Sequence, residues 1–471
     1  MVKLKDNFLQ AETIHFTGIK GVGMTALVLV SQDLGKIVEG SDVADKFVTD
    51  EILNKRKIPL TVGFSAGHIR EGIDLVIYTG AHSGPLNTEV IEAKRRGIAV
   101  MSHAEALGIV MGQKSGISVC GVGGKTTTAA MIATILTEAK LYPSFAVGVG
   151  NIFNLGVPGK FDKGRYFIAE ADEYVVSPGV DNRPRFLFQR PEIIVLTNIK
   201  HDHPDVYPTL TDTKRVFGGF LNKLPRDGGL VVNGDDSVAL SLIPKGRRII
   251  RYGKGVRNEM RLVRVEMEKG KQIVEMEFEK KRFQFRLTVC GEYNARNGLA
   301  AAAAGMLSGI SMEEALAGLE AFTGTKRRFE KVGEVGGTIF YDDYAHHPSE
   351  IVAVLAAARL WWPQKRLIAV FQPHTFSRTK ALMSEFAQSF NQANQVIITD
   401  IYASARERAD VTVSGEKLAQ ATARFHPQVE FVPQSGLVEY LSERVGEGDI
   451  LLTLGAGDIY KVHEQIFLAK R

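Results

Sequence analysis

The chain has 471 residues, 45% of them hydrophobic and 24% charged, the make-up of an ordinary globular protein of about three domains. Its net charge of +5 suits small anionic substrates and does not call for nucleic acid. The only two cysteines, Cys120 and Cys290, sit in apolar surroundings. They argue against a disulfide framework, and no run approaches the ~18 apolar residues of a membrane span, so a cytoplasmic protein is expected.

A first block runs from residue 1 to 114. Residues 14–17 read as a short strand, 18–24 as a glycine turn and 25–34 as a helix, with further strands at 37–39 and 74–79. Strands alternating with helices predict a parallel sheet. Gly21-Val22-Gly23-Met24-Thr25-Ala26 fits G-x-G-x-x-A, with Asp42 about 20 residues on. The pattern reports a diphosphate on a helix N-terminus and a ribose. NAD, FAD and a nucleotide-sugar diphosphate all carry both, and a plain tight turn gives the same spacing.

A second block, 115–325, begins with a strand at 117–120 and Gly121-Val122-Gly123-Gly124-Lys125-Thr126-Thr127-Thr128, followed by a helix over 129–140. Backbone N–H groups of such a turn cradle phosphate, the lysine adds a point charge, and a threonine hydroxyl can sit on Mg²⁺. A strand at 166–169 runs into Glu170-Ala171-Asp172-Glu173. Another at 193–197 runs into Asn198-Ile199-Lys200-His201-Asp202-His203. Ligands of open α/β sheets collect beyond the carboxyl ends of strands. Phosphate cradle, carboxylates and imidazoles at one edge therefore read as a Mg²⁺-nucleotide site, with Thr126, Glu170 and His203 completing the metal shell. Solvation of strand ends alone explains one such cluster less well when three occur together. Residues 228–289 alternate with period two and read as antiparallel hairpins. A helix then starts near Asn294, which also suits an N-cap.

A third block, 326–471, has strands at 338–341, 367–371, 396–399 and 450–453. Asp342-Asp343-Tyr344-Ala345-His346-His347-Pro348 and Gln372-Pro373-His374-Thr375-Phe376-Ser377-Arg378 follow the first two. Arginine and histidine at strand ends suit carboxylate or phosphate, although each histidine alone equally suits a structural role. Lys326-Arg327-Arg328-Phe329, at the block boundary, is either a solvated charge run or the source of an arginine that neutralises phosphate charge. The predicted fold class is α/β with three domains: Rossmann-like, P-loop with a mixed sheet, and Rossmann-like.

These motifs, in this order over nearly the whole chain, resemble the Mur ligases of peptidoglycan synthesis. Markers are Ile14-His15-Phe16 with Gly18 to Met24, Gly40-Ser41-Asp42, Gly124-Lys125-Thr126-Thr127-Thr128, Glu170-Ala171-Asp172-Glu173 and Thr197-Asn198-Ile199 with Asp202-His203. They continue with Asn294 and Asn297, Arg327-Arg328-Phe329, residues 342–348, Gln372-Pro373-His374, Ser377-Arg378-Thr379 and Gly455-Ala456-Gly457-Asp458. The resemblance implies an ATP-dependent amide-bond ligase, closest to members that add L-alanine to UDP-N-acetylmuramate through an acyl phosphate. It implies UDP-N-acetylmuramate on Gly21, Val22, Gly23, Met24 and Asp42. It implies ATP on Gly121, Val122, Gly123, Gly124, Lys125, Thr126, Thr127, Asn294, Asn297, Arg328 and Asp343, with Mg²⁺ on Thr126, Glu170 and His203. Lys125, Glu170, His203 and Arg328 would serve catalysis, and Tyr344, His346 and Arg378 would face the amino acid and acceptor.

The chain departs from the family pattern in places. Val122-Gly123 replace the usual Thr-His of the loop, and Tyr174-Val175 replace the usual Ser-Asp after the acidic motif. Tyr293 stands for the usual histidine, and Thr375 for a frequent arginine. The change at Tyr174 is shared with the murein-peptide ligases, which attach a recycled tripeptide to the same acceptor. Readings of other classes are a NAD-dependent oxidoreductase, resting on residues 21–26 and Asp42 alone, and a nucleotide-binding protein without catalysis.

Overall fold

The computed structural model describes residues 2–268, 270–403, 407 and 409–469. The first sheet contains β1 Thr13–Thr17, β2 Ile37–Asp42, β3 Leu60–Val62, β4 Leu75–Tyr78 and β5 Ala99–Ser102. Its order is β3-β2-β1-β4-β5 and every pairing is parallel. The order reverses between β1 and β4, which opens a crevice beyond their carboxyl ends.

The second sheet has ten strands. β6 Ser115–Cys120, β7 Ser144–Ala146, β8 Gly159–Lys160 and β9 Tyr166–Glu170 form its first half. A separate two-stranded ribbon follows, β10 Val175–Ser177 and β11 Asp181–Pro184. The sheet resumes with β12 Pro191–Leu196, β13 Gly229–Asn233, β14 Arg248–Gly253, β15 Met260–Glu268, β16 Lys271–Phe278 and β17 Lys281–Leu287, in the order β17-β16-β15-β14-β13-β12-β6-β9-β7-β8. The loop-bearing β6 lies between β12 and β9, and all six of its residues are buried, as expected of a parallel strand covered on both faces.

The hairpin prediction for 228–289 is correct only from β15 onward. β13 and β14 continue the parallel sheet, and antiparallel pairing begins between β15 and β16. β15 alternates more and less buried residues, whereas the first four residues of β13 are all buried. Period two reports a strand with one wet face, which β13 lacks.

Two helices are covered on every side. The helix Val22–Asp33 buries every residue from Met24 to Ser31. It packs between the first sheet and the β7–β8 edge, and one core joins Phe16 and Leu27 to Phe167 and Ala169. The helix Lys125–Glu138 buries Thr126 through Leu136 beneath the helices Glu292–Leu307 and Met312–Ala321. An all-round apolar helix needs such double cover. The helix Glu292–Leu307 is capped by Gly291, so Asn294 is not the N-cap.

The third sheet contains β18 Glu330–Val335, β19 Thr338–Asp343, β20 Leu367–Phe371, β21 Gln395–Ile398, β22 Val429–Phe431 and β23 Ile450–Leu454. Its order is β18-β19-β23-β20-β21-β22, parallel except for β18. It also touches the first domain: the Tyr460 hydroxyl donates to the Lys46 carbonyl at 3.1 Å, and Lys46 Nζ pairs with Glu464 at 2.8 Å. No helix among the described residues is long and apolar enough to cross a membrane.

Candidate active site

The chain leaves β6 at Cys120, turns through 121–124 and enters the helix at Lys125, four residues before the predicted start. Gly121 (φ 126°) and Gly124 (φ 85°) occupy the left-handed region, which glycine alone adopts freely. A Cβ on Gly121 would collide with Thr197 Oγ1, and one on Gly124 would come within 2.6 Å of Asn297 Oδ1. The end of β12 clamps this loop. Asn198 Oδ1 accepts the Gly123 N–H at 3.0 Å, and Asn198 Nδ2 and Thr197 Oγ1 donate to the Gly123 carbonyl at 2.8 and 2.7 Å. The loop is thus shaped by backbone and by Thr197-Asn198, without help from the Val122 side chain or the residue type at 123.

Lys125 Nζ donates to the Gly121 carbonyl at 2.6 Å and to Glu173 Oε2 at 2.9 Å. Burial opposes its charge, but Glu173, Asp172 and Glu170 outweigh burial and hold its pKa above the ordinary value. Burial pushes Glu173 up to about 7 against the pull of Lys125, with Asp172 adding to the rise. Thr126 Oγ1 donates to Glu170 Oε2 at 2.9 Å and accepts from Arg328 Nη2 at 3.0 Å. Glu170 Oε1 accepts the Gly148 N–H at 2.6 Å. His203 groups instead with Glu173 and Asp202, and ligand atoms of those three lie within 4.8 Å of one another. Thr126, Glu170 and His203 all line one cavity of about 430 Å³, in two groups. Carboxylate and hydroxyl oxygens of this kind fit a hard cation such as Mg²⁺.

The two arginines after residue 326 have different duties. Arg327 is buried: Nε donates to Asp342 Oδ2 at 2.8 Å, and Nη1 and Nη2 donate to the carbonyls of Gly457 and Gly455 at 2.9 and 2.6 Å. Arg328 reaches across to Thr126 and stacks 4.9 Å from the Tyr344 ring centre. Asp343 is buried and accepts the N–H groups of Phe329 and Ala345, each at 2.7 Å. Burial lifts its pKa to about 7, against the pull of Arg328. Tyr344 and His346 line the 430 Å³ cavity beside the loop. Burial, with Arg378 nearby, pushes His346 down to about 4 despite Glu350, so it is neutral at pH 7.

On the other side of the loop lies a cavity of about 480 Å³, where Gly124 and Thr127 meet Asn294, Asn297 and Asp343. Asn294 Nδ2 donates to the Cys290 carbonyl at 2.6 Å, and Asn297 Nδ2 donates to Asn294 Oδ1 at 3.2 Å. A third cavity, about 570 Å³, separates the ribbon from the third domain and is lined by Arg378 and His374. Arg378 is not in the 430 Å³ cavity with Tyr344 and His346. Its Nε and Nη2 both donate to Asp202 Oδ1, at 3.1 and 3.0 Å, and the pair is buried.

Gly21, Val22, Gly23 and Met24 line the 430 Å³ cavity at the start of the helix Val22–Asp33. His103 Nε2 donates to the Gly23 carbonyl at 3.0 Å. Asp42 is buried beneath this loop, where its carboxylate accepts the N–H groups of Lys20 at 2.7 Å and Val43 at 2.8 Å. It shapes the turn from beneath and does not line the 430 Å³ cavity.

Several residues in these cavities carried no individual prediction. Glu173 and Asp202 stand inside motifs read from the sequence, so their strand-end position was the available signal. Asn198 follows a strand in the same way. Arg185 enters the 430 Å³ cavity, and Nη1 donates to Asp172 Oδ2 at 2.8 Å. It follows a ribbon that no periodicity marked. Glu350 lines two cavities and accepts the N–H groups of His346 and His347 at 3.1 and 3.2 Å.

Three family models match the chain in succession. They are the Mur ligase family catalytic domain over residues 13–115, the Mur ligase middle domain over 119–305, and the Mur ligase glutamate ligase domain over 327–457. A UDP-N-acetylmuramate–L-alanine ligase of Desulfitobacterium hafniense is 37% identical over 456 residues, covering 96% of this chain and 99% of that protein. Another, from Caldanaerobacter subterraneus, is 38% identical over 458 residues, covering 96% of each. Among solved structures, the UDP-N-acetylmuramate–alanine ligase of Thermotoga maritima superposes with a TM-score of 0.79 at 25% identity, covering 97% of this chain and 98% of its own. A murein peptide ligase of Psychrobacter arcticus gives 0.73 at 23% identity, covering 97% and 98%. With the phosphate loop, its clamp and the reaching Arg328 in place, this chain belongs to the Mur ligase family.

Proposed function

We propose that the chain is an ATP-dependent ligase that joins the carboxylate of UDP-N-acetylmuramate to the amine of L-alanine. One observation carries the reading: the phosphate loop, the Glu170 and Glu173 carboxylates, Arg328 and the glycine turn at 21–24 all open into one cavity. An acid activated by phosphoryl transfer needs its nucleotide and its acceptor within reach of each other. The full-length similarity to alanine-adding relatives supports the choice of substrates.

In this reading residues 1–114 hold the sugar nucleotide, with its diphosphate on the helix N-terminus at 21–24. Residues 115–325 hold ATP, its phosphates on 121–127 and its nucleoside in the 480 Å³ cavity by Asn294 and Asn297. Residues 326–471 bring Arg328 and Asp343 to the nucleotide, and Tyr344, His346 and Arg378 to the acceptor side.

The muramoyl carboxylate attacks the γ-phosphate, and ADP leaves with an acyl phosphate formed. Lys125 gives the phosphates a point charge in place of Glu173. Arg328, stacked on Tyr344, neutralises charge that develops on the transferred group. Mg²⁺, held by Thr126 and Glu170 or by Glu173, Asp202 and His203, would add further neutralisation of phosphate oxygens. The alanine nitrogen then attacks the acyl carbonyl, the C–O bond to phosphate breaks, and inorganic phosphate departs. The first and third domains touch through Tyr460, Lys46 and Glu464, and closure of the domains around the cavity would keep water from the acyl phosphate.

The test is phosphate release with ATP, Mg²⁺ and UDP-N-acetylmuramate, with and without L-alanine. Alanine-dependent release is expected. Lys125→Ala should abolish it while UDP-N-acetylmuramate binding by calorimetry persists. No release with alanine, or normal turnover by the variant, would refute the reading.

A further inference from the structure

We propose that Arg185 selects the acid group of the acceptor, gripping the muramoyl carboxylate and holding it toward the phosphate loop. The proposal rests on the ligase reading above and adds to it a central-domain residue that reads the acceptor.

The fold fixes the place of this guanidinium. Arg185 opens the 3-10 turn Arg185–Phe188 directly after β11. The Arg185 N–H donates to the Tyr174 carbonyl at 2.9 Å, and the Phe186 N–H to the Asp172 carbonyl at 3.0 Å. Phe186 is fully buried, and its ring stacks 4.4 Å from that of Phe220. A fork anchored in this way loses little freedom on binding. The side chain leaves the central domain and reaches the first. Its Nη2 stands 3.3 Å from where a Cβ on Gly80 would lie, just past the end of β4. That is the crevice between β1 and β4, where the strand order of the first sheet reverses and ligands gather.

Arg185 links the two ends of the 430 Å³ cavity. On the side of the 21–24 turn it faces His103, whose Nε2 bonds to the Gly23 carbonyl. Burial, with Arg185 adding to the fall, pushes His103 down to about 4, so this imidazole is neutral at pH 7 and offers an anion no charge. On the side of the phosphate loop, Nη1 donates to Asp172, whose own charge helps to keep the proton on Lys125. An acid group held between the diphosphate turn and the γ-phosphate therefore meets Arg185.

The other cations of the cavity have duties elsewhere. Lys125 and Arg328 serve ATP in this reading. Arg327 is spent on Asp342 and two carbonyls, and Lys326 lies 3.7 Å from Glu330. Glu170, Asp172, Glu173, Asp202 and Glu350 line the same space. A further carboxylate entering among these needs a cation of its own. Nε and Nη2 of Arg185 make no hydrogen bond among the described residues, and the side chain is 21% exposed. A guanidinium carries five N–H donors in a planar fork, so one bound to Asp172 on one edge accepts a second carboxylate on the other.

The experiment compares UDP-N-acetylmuramate with UDP-N-acetylglucosamine, which lacks the carboxylate-bearing ether. Binding of each to the full-length enzyme is measured by calorimetry with Mg²⁺ and a non-hydrolysable ATP analogue. The parent should bind the muramate about ten-fold or more tighter. Arg185→Ala should weaken the muramate about ten- to hundred-fold, the range for a lost charged hydrogen bond, and the glucosamine less than about three-fold, with KM for ATP also within about three-fold. Arg185→Lys keeps the charge without the fork and should recover part of the discrimination. Arg183→Ala, on β11 and outside the cavity, should match the parent. If the alanine variant fails to fold, Arg185→Gln is read by the same ratio of affinities. Equal weakening of both sugars, or an unchanged affinity for the muramate, overturns the assignment. A parent that turns over but binds both sugars alike also overturns it and leaves the ligase reading standing. A parent that binds neither sugar nucleotide overturns both.

Discussion

Arg327 and Arg328 are adjacent in the chain and hold different things, so alanine at each should separate stability from catalysis. Removing Arg327 leaves Asp342, 1% exposed, without its cation and takes donors from two carbonyls of 455–457. Breaking a buried ion pair from one side costs about 3–5 kcal/mol. At ~2–4 °C per kcal/mol for a domain of this size, melting should fall by about 10 °C. Arg328 is half-buried, and its removal loses one hydrogen bond and one ring contact, about 1 kcal/mol of stability. Its loss at the phosphate should lower kcat by about 10²–10³, the usual cost of deleting one charge-stabilising donor. Thermal melts followed by circular dichroism, with phosphate release measured well below both midpoints, read the two effects separately. If Arg328→Ala melts alongside Arg327→Ala, or keeps kcat within a few-fold of the parent, the division of roles is wrong.

Asn198→Ala removes both side-chain bonds to Gly123 and should raise KM for ATP about ten-fold, at about 1–3 kcal/mol for the lost clamp; an unchanged KM would mean that the loop keeps its shape unaided. A buried network in the first domain gives a pH dependence. Glu89 accepts Thr17 Oγ1 at 2.7 Å, Ser41 Oγ at 2.6 Å and His68 Nδ1 at 2.7 Å, and pairs with His15 at 3.2 Å. Burial opposes its charge, but His15, Ser41 and Thr17 hold its pKa down to about 2 from 4.5. A lowered carboxyl stabilises the fold above pH 4.5 and loses that contribution as pH falls toward 2, here about 3 kcal/mol at 1.36 kcal/mol per pH unit. His15 works in the opposite direction: its raised pKa gives stability below 6.5 that is lost as pH rises through the raised value. Urea midpoints should therefore drop between pH 5 and 2.5 in the parent and change much less in Glu89→Gln; parallel curves would remove the network from the account.

The elements that the sequence made legible are those with local rules. β1 and β6 end in glycine turns and β9 and β20 in polar clusters, and each strand lies within a residue or two of its predicted place. The glycines at 121 and 124 are required by backbone angles that the loop cannot avoid. Prediction went astray where two structures share one local pattern. β13 and the true hairpin strands are both β-rich, and coverage of both faces sets β13 apart. Asn294 suits an N-cap by type, but Gly291 ends the turn one position before the helix begins. The ribbon β10–β11 has too few residues for any periodicity to register.

The candidate site divides in the same way. The residue types that handle phosphate stood in the sequence because each motif is short and contiguous: Gly121 to Thr127, Glu170 to Glu173, Asp202-His203. Which of them meet is a matter of strand order. β6, β9 and β12 become neighbours only when the sheet is assembled, and that brings Asn198 onto Gly123 and Glu173 onto Lys125. The different fates of Arg327 and Arg328, and of Arg378 and Tyr344, depend on contacts between segments more than a hundred residues apart, such as Arg328 with Thr126 and Arg378 with Asp202. By itself the sequence determined three α/β units and a phosphate-binding chemistry, because hydrophobic period and glycine turns act within a few residues. The tertiary structure alone decided the pairing of charges and the division of the candidate site into three cavities, because burial and Coulomb interaction act through space between distant segments.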